Sequence, residues 1–150
     1  MDDTTAYATA LREAKAGLAE GGIPIGACLL VDGAILATGR NQRVQLGSAI
    51  RHGETDCIEN AGRQPAAVYA RATLYTTLSP CFMCAGTILL YRIPRVVIGE
   101  HTHFDVSEAL LRSHGVEIVV LDDTETKTIF RAWMDANPTL WNEDIGEPAG

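Results

Sequence analysis

Apolar residues along this chain recur with two spacings, and their order predicts most of its elements. From Thr4 to Glu20, Tyr7, Leu11, Ala14 and Leu18 recur at helical spacing, with Asp2, Asp3 and Thr4 as capping candidates and "EGG" as the stop. "IPIGACLLV" has the apolar run of a buried strand, Asp32-Gly33 the chemistry of a hairpin turn, and "AILATG" that of the returning strand. The polar stretch "RNQRVQLGSAIR" then leads into a helix, "HGETDCIENAG", which Gly62 ends. "ATLYTTL" predicts a strand, and Pro80 starts the helix "CFMCAGTILLY" with Cys81 and Cys84 in its first turn. "RVVIG" predicts a strand, "VSEALLRSH" a helix and "VEIVVL" a further strand. "DDTETKTIFRAWMDAN" caps and runs as a helix to Pro138, and the tail "TLWNEDIGEPAG" has room for one more helical turn.

The order α-β-β-α-β-α-β-α-β-α implies an α/β fold, a three-layer α/β/α sandwich on a mixed five-stranded sheet. The opening hairpin makes one strand pair antiparallel, and helical crossovers allow the later strands to run parallel. With no internal repeat and no linker, residues 1–150 read as a single domain.

Composition narrows the function. The 150 residues are 47% hydrophobic and 21% charged, enough for a real core and unlike a disordered chain. No apolar run approaches the roughly 20 residues that span a bilayer. The acidic start "MDDTTAYATA" fits neither a secretory signal nor a transit peptide, so a cytoplasmic location is expected. A net charge of −7, with Lys and Arg scattered, argues against a nucleic-acid partner. Cysteines at 28, 57, 81 and 84 do not resemble a secreted disulfide framework, and in a cytosolic protein Cys81-x-x-Cys84 reads first as a catalytic or metal-binding motif.

Alone, that motif leaves a redox pair, half a metal site and structural thiols open. Its helix N-terminus favours thiolates under either active reading. His52 and Glu54 begin another helix. Two residues apart they share no helical face, so they converge only if one occupies an irregular first turn. The combined order H-x-E…P-C-x-x-C is the signature of zinc-dependent nucleobase deaminases. One imidazole and two thiolates hold Zn²⁺ tetrahedrally and leave a fourth position for water. Two thiolates balance the dication, so that water is the next group to lose a proton. Glu54 can take the proton and deliver it to a ring nitrogen and a departing amine.

The segments "GGIPIGACL", "GRNQR", "HGE…ENAGR", "TLYTTLSPC.MC.G", "YRIPR.V.GE" and "W.EDIGE" occur in an order that resembles the cytidine deaminase-like superfamily. Within it, they resemble the small fungal-type cytosine deaminases over nearly the whole length. The resemblance implies one zinc ion per chain, held by His52, Cys81 and Cys84 with water as fourth ligand, and Glu54 as proton shuttle. It implies that Asn41 and Asp144 hydrogen-bond the base, helped by the backbone of Gly53, Cys81 and Ser79. Ile25, Phe104 and Trp141 would wall the ring. It also implies a homodimer with a small-molecule partner, working in pyrimidine salvage. The expected reaction is conversion of cytosine to uracil plus ammonia. The same chemistry on isocytosine, creatinine, guanine or a pterin is the alternative, followed by a non-catalytic zinc-binding module.

Each site residue also has a plainer reading. Phe104 and Trp141 can be core aromatics, Asn41 a turn residue, and Asp144 a solvated carboxylate. Cys28 reads as filler, and so does Cys57, since a closed Cys₃His site would have no place for water. His101 and His103 flank Phe104 without an assigned role, and His114 is a turn residue. Departures from the fungal pattern cluster beside the chemistry: Phe82 in place of an acidic residue, Arg51 in place of an apolar one, and Thr55 and Asp56 after Glu54. Arg51 and Asp56 are candidates for an ion pair.

Overall fold

The structure is a computed structural model that describes residues 1–148. Helix α1 (Asp3–Ala19) starts where the Asp2 carboxylate accepts a hydrogen bond from the Thr5 N–H at 2.8 Å, satisfying one orphan donor of the first turn. Strands β1 (Gly26–Val31) and β2 (Ala34–Arg40) meet at Asp32-Gly33, whose φ values of 52° and 79° suit a tight hairpin turn. Helix α2 (Arg43–Leu46) lies within the stretch expected to be an irregular connection. Then come α3 (Gly53–Ala61), α4 (Ala66–Tyr69), β3 (Ala72–Leu78) and α5 (Phe82–Leu90). β4 (Arg95–Glu100), α6 (Glu108–Ser113), β5 (Glu117–Val120), α7 (Thr124–Ala136) and α8 (Pro138–Asp144) follow. The expected tail turn is α8, and the tail's last two residues lie outside the described ones.

Among the described residues the sheet has five strands in the order β2-β1-β3-β4-β5. β1 is antiparallel to both β2 and β3, whereas β3, β4 and β5 run parallel, so the sheet is mixed as expected. Side chains alternate across β3 and feed both layers. Leu74 joins Leu29, Val96 and Ile98 beneath Cys57 of α3, Ile88 of α5 and Leu111 of α6. Tyr75 faces the opposite way, toward Ala6, Tyr7 and Ala10 of α1. Each fully buried Leu or Ile contributes about 1.5–3 kcal/mol to this packing.

Two glycines set how closely the layers approach. A Cβ on Gly39 of β2 would lie 2.2 Å from the Cys57 backbone N of α3. One on Gly26 of β1 would lie 2.2 Å from the Ala10 carbonyl of α1. Helix backbones therefore rest directly on the first two strands, and the start of α3 is held against the sheet. A third apolar cluster, Ile23, Ile25, Leu78, Phe130, Trp133 and Trp141, closes the end of the sheet where α3 and α5 begin.

Candidate active site

His52 is the N-cap of α3, with φ −72° and ψ 173°, which is extended and not helical. That break in the helical path lets His52 and Glu54 turn to the same place despite their spacing. Three of the residues that depart from the fungal pattern, Arg51, Thr55 and Asp56, hold this cap. The Thr55 hydroxyl accepts from the His52 N–H at 2.9 Å and donates to the Ile50 carbonyl. Arg51 Nη1 pairs with Asp56 Oδ1 at 2.7 Å, while Asp56 Oδ2 accepts from the Arg40 N–H at 3.0 Å. Asp56 is buried and thus ties the residue before His52 to the residue before Asn41.

Cys81 likewise caps α5 with an extended backbone, one residue outside the helix expected to contain it. Its Sγ lies 3.5 Å from the Cys84 N–H, which it accepts. His52 Nδ1 stands 3.4 Å from Cys81 Sγ and 3.8 Å from Cys84 Sγ. A zinc ion with ordinary Zn–S and Zn–N bonds in tetrahedral geometry needs donor separations of roughly 3.5–3.8 Å, so this donor set fits. The opposite ring nitrogen, His52 Nε2, lies 3.3 Å from Asp144 Oδ1. A proton held there by the carboxylate leaves the Nδ1 lone pair aimed at the sulfurs. Cys57 is fully buried, with its Sγ toward the Ala37 carbonyl, and Cys28 packs beneath α1; neither joins the cluster.

The electrostatics also suit a cation. Without metal, the hydrogen bond from Cys84, opposed by burial and helped by His52, holds the Cys81 thiol down to about 4. Cys84, giving that bond, is pushed well up. Burial works against a charged His52, but Cys81, Asp144 and Glu54 outweigh it and lift the ring to about 9. Burial raises Glu54, with the Cys81 charge adding to it. Burial also raises Asp144, opposed by His52, Asn41 and Arg43.

A small cavity of about 10 Å³, room for roughly one water, adjoins these groups. His52, Glu54, Ser79 and Cys81 line it together with Ile25, Phe104, Trp141 and Asp144, residues drawn from well-separated parts of the sequence. Leu78 and Ile145 line it too and were not expected; two-residue alternation from Leu74 puts Leu78 on the α3 side of β3 and could have signalled it. Trp141 meets Phe104 and Phe130 edge-on at 5.5 Å and 5.0 Å. Asn41 does not line the cavity: its Nδ2 donates to Asp144 Oδ1 at 2.8 Å. Gly53 packs on Ile25, where a Cβ would come within 3.2 Å.

Two histidines without an expected role brace the Phe104 loop. His103 bonds the fully buried Glu100 at 2.6 Å, and His101 bonds buried Glu108 at 3.0 Å. Glu108 also accepts from the Ser79 hydroxyl at 2.7 Å. Outside lies a vestibule of about 490 Å³ with Arg43, Met83 and Val106, where Phe82 stands 65% exposed.

Comparison with known proteins agrees with this donor set. Residues 1–100 match the family described as the cytidine and deoxycytidylate deaminase zinc-binding region. The chain belongs to this deaminase family. It is 49% identical over 148 residues to the cytosine deaminase of Candida albicans, covering 98% of this chain and 99% of that one. A tRNA-specific adenosine deaminase of Bacillus subtilis is 41% identical over 91 residues, covering 60% of this chain and 56% of its own. The solved guanine deaminase from Bacillus subtilis superposes with a TM-score of 0.61 at 29% identity, covering 90% of this deaminase and 95% of that chain. The fold is therefore the mixed-sheet deaminase fold, and the deaminase is a zinc-binding enzyme.

Proposed function

We propose that this deaminase hydrolyses free cytosine to uracil and ammonia, with residues 1–150 forming one domain. One observation carries the reading: Glu54 is a buried carboxylate, 4% exposed, that lines a cavity beside the His52, Cys81 and Cys84 donors. A purely structural zinc site has no use for such a group. The full-length similarity to the Candida albicans enzyme supports cytosine as the base.

Zinc, when bound by His52, Cys81 and Cys84, would lower the pKa of a water so that it can attack at neutral pH. Glu54 takes the proton that the attacking water gives up. It passes that proton to the ring nitrogen beside the amine-bearing carbon. It then carries the added hydroxyl's proton to the amino group, so that the C–N bond breaks, ammonia leaves and the carbonyl of uracil forms. Ile25, Phe104 and Trp141 sandwich the ring and exclude bulk water. Asp144 and Asn41, together with the backbone of Gly53, Ser79 and Cys81, supply the polar contacts. The hydrogen bond from Asn41, behind the lining, holds Asp144 at the pocket wall.

The wall formed by Trp141, Asp144 and Ile145 over the cavity supports a free base over a polynucleotide, as does the net charge of −7. No helix among the described residues is long and apolar enough to cross a membrane. Phe82, Leu90 and Tyr91 stand exposed in or beside α5 and support a homodimer, which sedimentation would test. The deciding experiment measures ammonia release and zinc content with cytosine, isocytosine, creatinine, guanine and a pterin. Release from cytosine with one zinc per chain is expected; release from another compound alone would overturn the choice of base.

A further inference from the structure

We propose that Thr76 is a positioning residue for Glu54, a role that rests on the deaminase reading above. Thr76 lies near the end of β3, is fully buried, and shares the sheet face that carries Leu74 toward α3. Its Oγ1 donates to Glu54 Oε1 at 2.5 Å. Glu54 sits in the first turn of α3, and its side chain reaches across the layer to the sheet. The terminal torsion of a glutamate is broad, so packing alone orients a carboxylate poorly. The hydroxyl bond fixes one oxygen and leaves the other to handle the proton.

The geometry also explains why a hydroxyl stands there. The Leu78 carbonyl lies 3.1 Å from the same Thr76 Oγ1, so its single proton has two acceptors. Directed at Glu54 Oε1, that proton ties the glutamate to the end of β3. The Leu78 carbonyl on the same hydroxyl restricts where Oγ1 can lie.

The next residue supplies a control. Thr77 points to the other face, where its Oγ1 accepts from the Gly26 N–H at 3.1 Å, a bond within the sheet and away from Glu54. The experiment compares wild type, Thr76→Val, Thr76→Ser and Thr77→Val as zinc-loaded enzymes, measuring zinc per chain, Tm, and kcat and KM for ammonia release from cytosine. Thr76→Val should keep zinc and KM and lose kcat by about 10- to 100-fold, within the range of misplaced general acid–base groups. Thr76→Ser should recover most of the loss, and Thr77→Val should lower Tm with kcat within about twofold of wild type.

A second readout needs no turnover. The side-chain carboxyl ¹³C signal of Glu54, assigned by its disappearance in Glu54→Gln, should move in Thr76→Val and stay in place in Thr76→Ser. An unmoved signal, a kcat within twofold of wild type in Thr76→Val, or equal losses in the Val and Ser variants would overturn the role. A wild-type enzyme that releases no ammonia from any compound overturns the deaminase reading and this role with it. An active wild type with an indifferent Thr76→Val overturns this role alone.

Discussion

The two halves of the pocket are built on different plans. The metal half consists of two helix caps, His52 on α3 and Cys81 on α5, each with an extended backbone at one end of the sheet. Its side chains stand on rigid elements and are fixed locally, within three to five residues, by Thr55, Asp56 and Cys84. The base-facing half is made of one loop carrying Phe104 and one short helix, α8, carrying Trp141 and Asp144. His103 and His101 brace the loop locally, and α8 is tied in by long-range contacts, such as the bond between Asn41 and Asp144 across 103 positions. Under the proposed function, the reacting groups would sit on the part fixed from neighbouring positions, and the groups meeting the base on the part tied in from a distance.

The sharpest way to break that division is Cys84→Ser, which removes a buried donor from the rigid half. Zinc bound per chain should fall below about a tenth of wild type and turnover should vanish, as read by metal analysis and ammonia release. Retained stoichiometric zinc would show that the donor set is misread. Glu54→Gln comes next: zinc should stay, and kcat should fall by about 10²–10⁴-fold or more, the ordinary reach of general acid–base catalysis. Asp144→Asn tests the other half. It weakens a charge-assisted contact worth about 1.5–3 kcal/mol, so kcat/KM for cytosine should drop by roughly 10- to 150-fold, chiefly in KM, with zinc retained. Zinc loss in that variant would instead mean that its bond to His52 Nε2 dominates.

The smallest effect lies away from both halves. The Arg95 guanidinium beside Asp3, opposed by some burial, holds its carboxyl down to about 2 from 3.8. A depressed folded pKa stabilises above the unfolded value and loses that contribution as pH falls through about 2. Asp3→Asn should therefore be less stable than wild type at neutral pH by about 1 kcal/mol or less. The gap should close between about pH 4 and pH 2 in acid unfolding, and kcat at neutral pH should not change. A gap that stays constant with pH would assign the contribution to packing.

How much was legible follows the same division. His52, Glu54, Cys81 and Cys84 could be read because five identities in a fixed order have one economical chemical explanation. The strand order was not in the pattern, but its alternating helices and strands constrained it. The four-residue helices α2 and α4 are too short to display a period, so α2 passed as a connection and α4 drew no reading. The Arg51–Asp56 pair was anticipated, yet its tie to the Arg40 backbone depends on β2 lying beside α3, which no local window contains. Ile25, Phe104, Trp141 and Asp144 were reached through resemblance to a family, since nothing local distinguishes them from ordinary core and surface residues. Thr76 passed as one threonine of a Thr-rich strand, because a partner 22 positions away gives no local signal.

The contact at Gly39 has a bearing on attempts to change which ring this enzyme accepts. Its missing side chain lets α3 rest on β2 at Cys57, one turn beyond Glu54, so the approach of the helix that carries His52 and Glu54 depends on that contact. A mutant library that randomises position 39 would mostly sample misfolded or metal-free chains, and its inactive members would say nothing about recognition. Diversity spent at Phe82, Met83 and Val106, which line the outer mouth, leaves that reference intact. Selection there can explore new substrates on an unchanged catalytic frame.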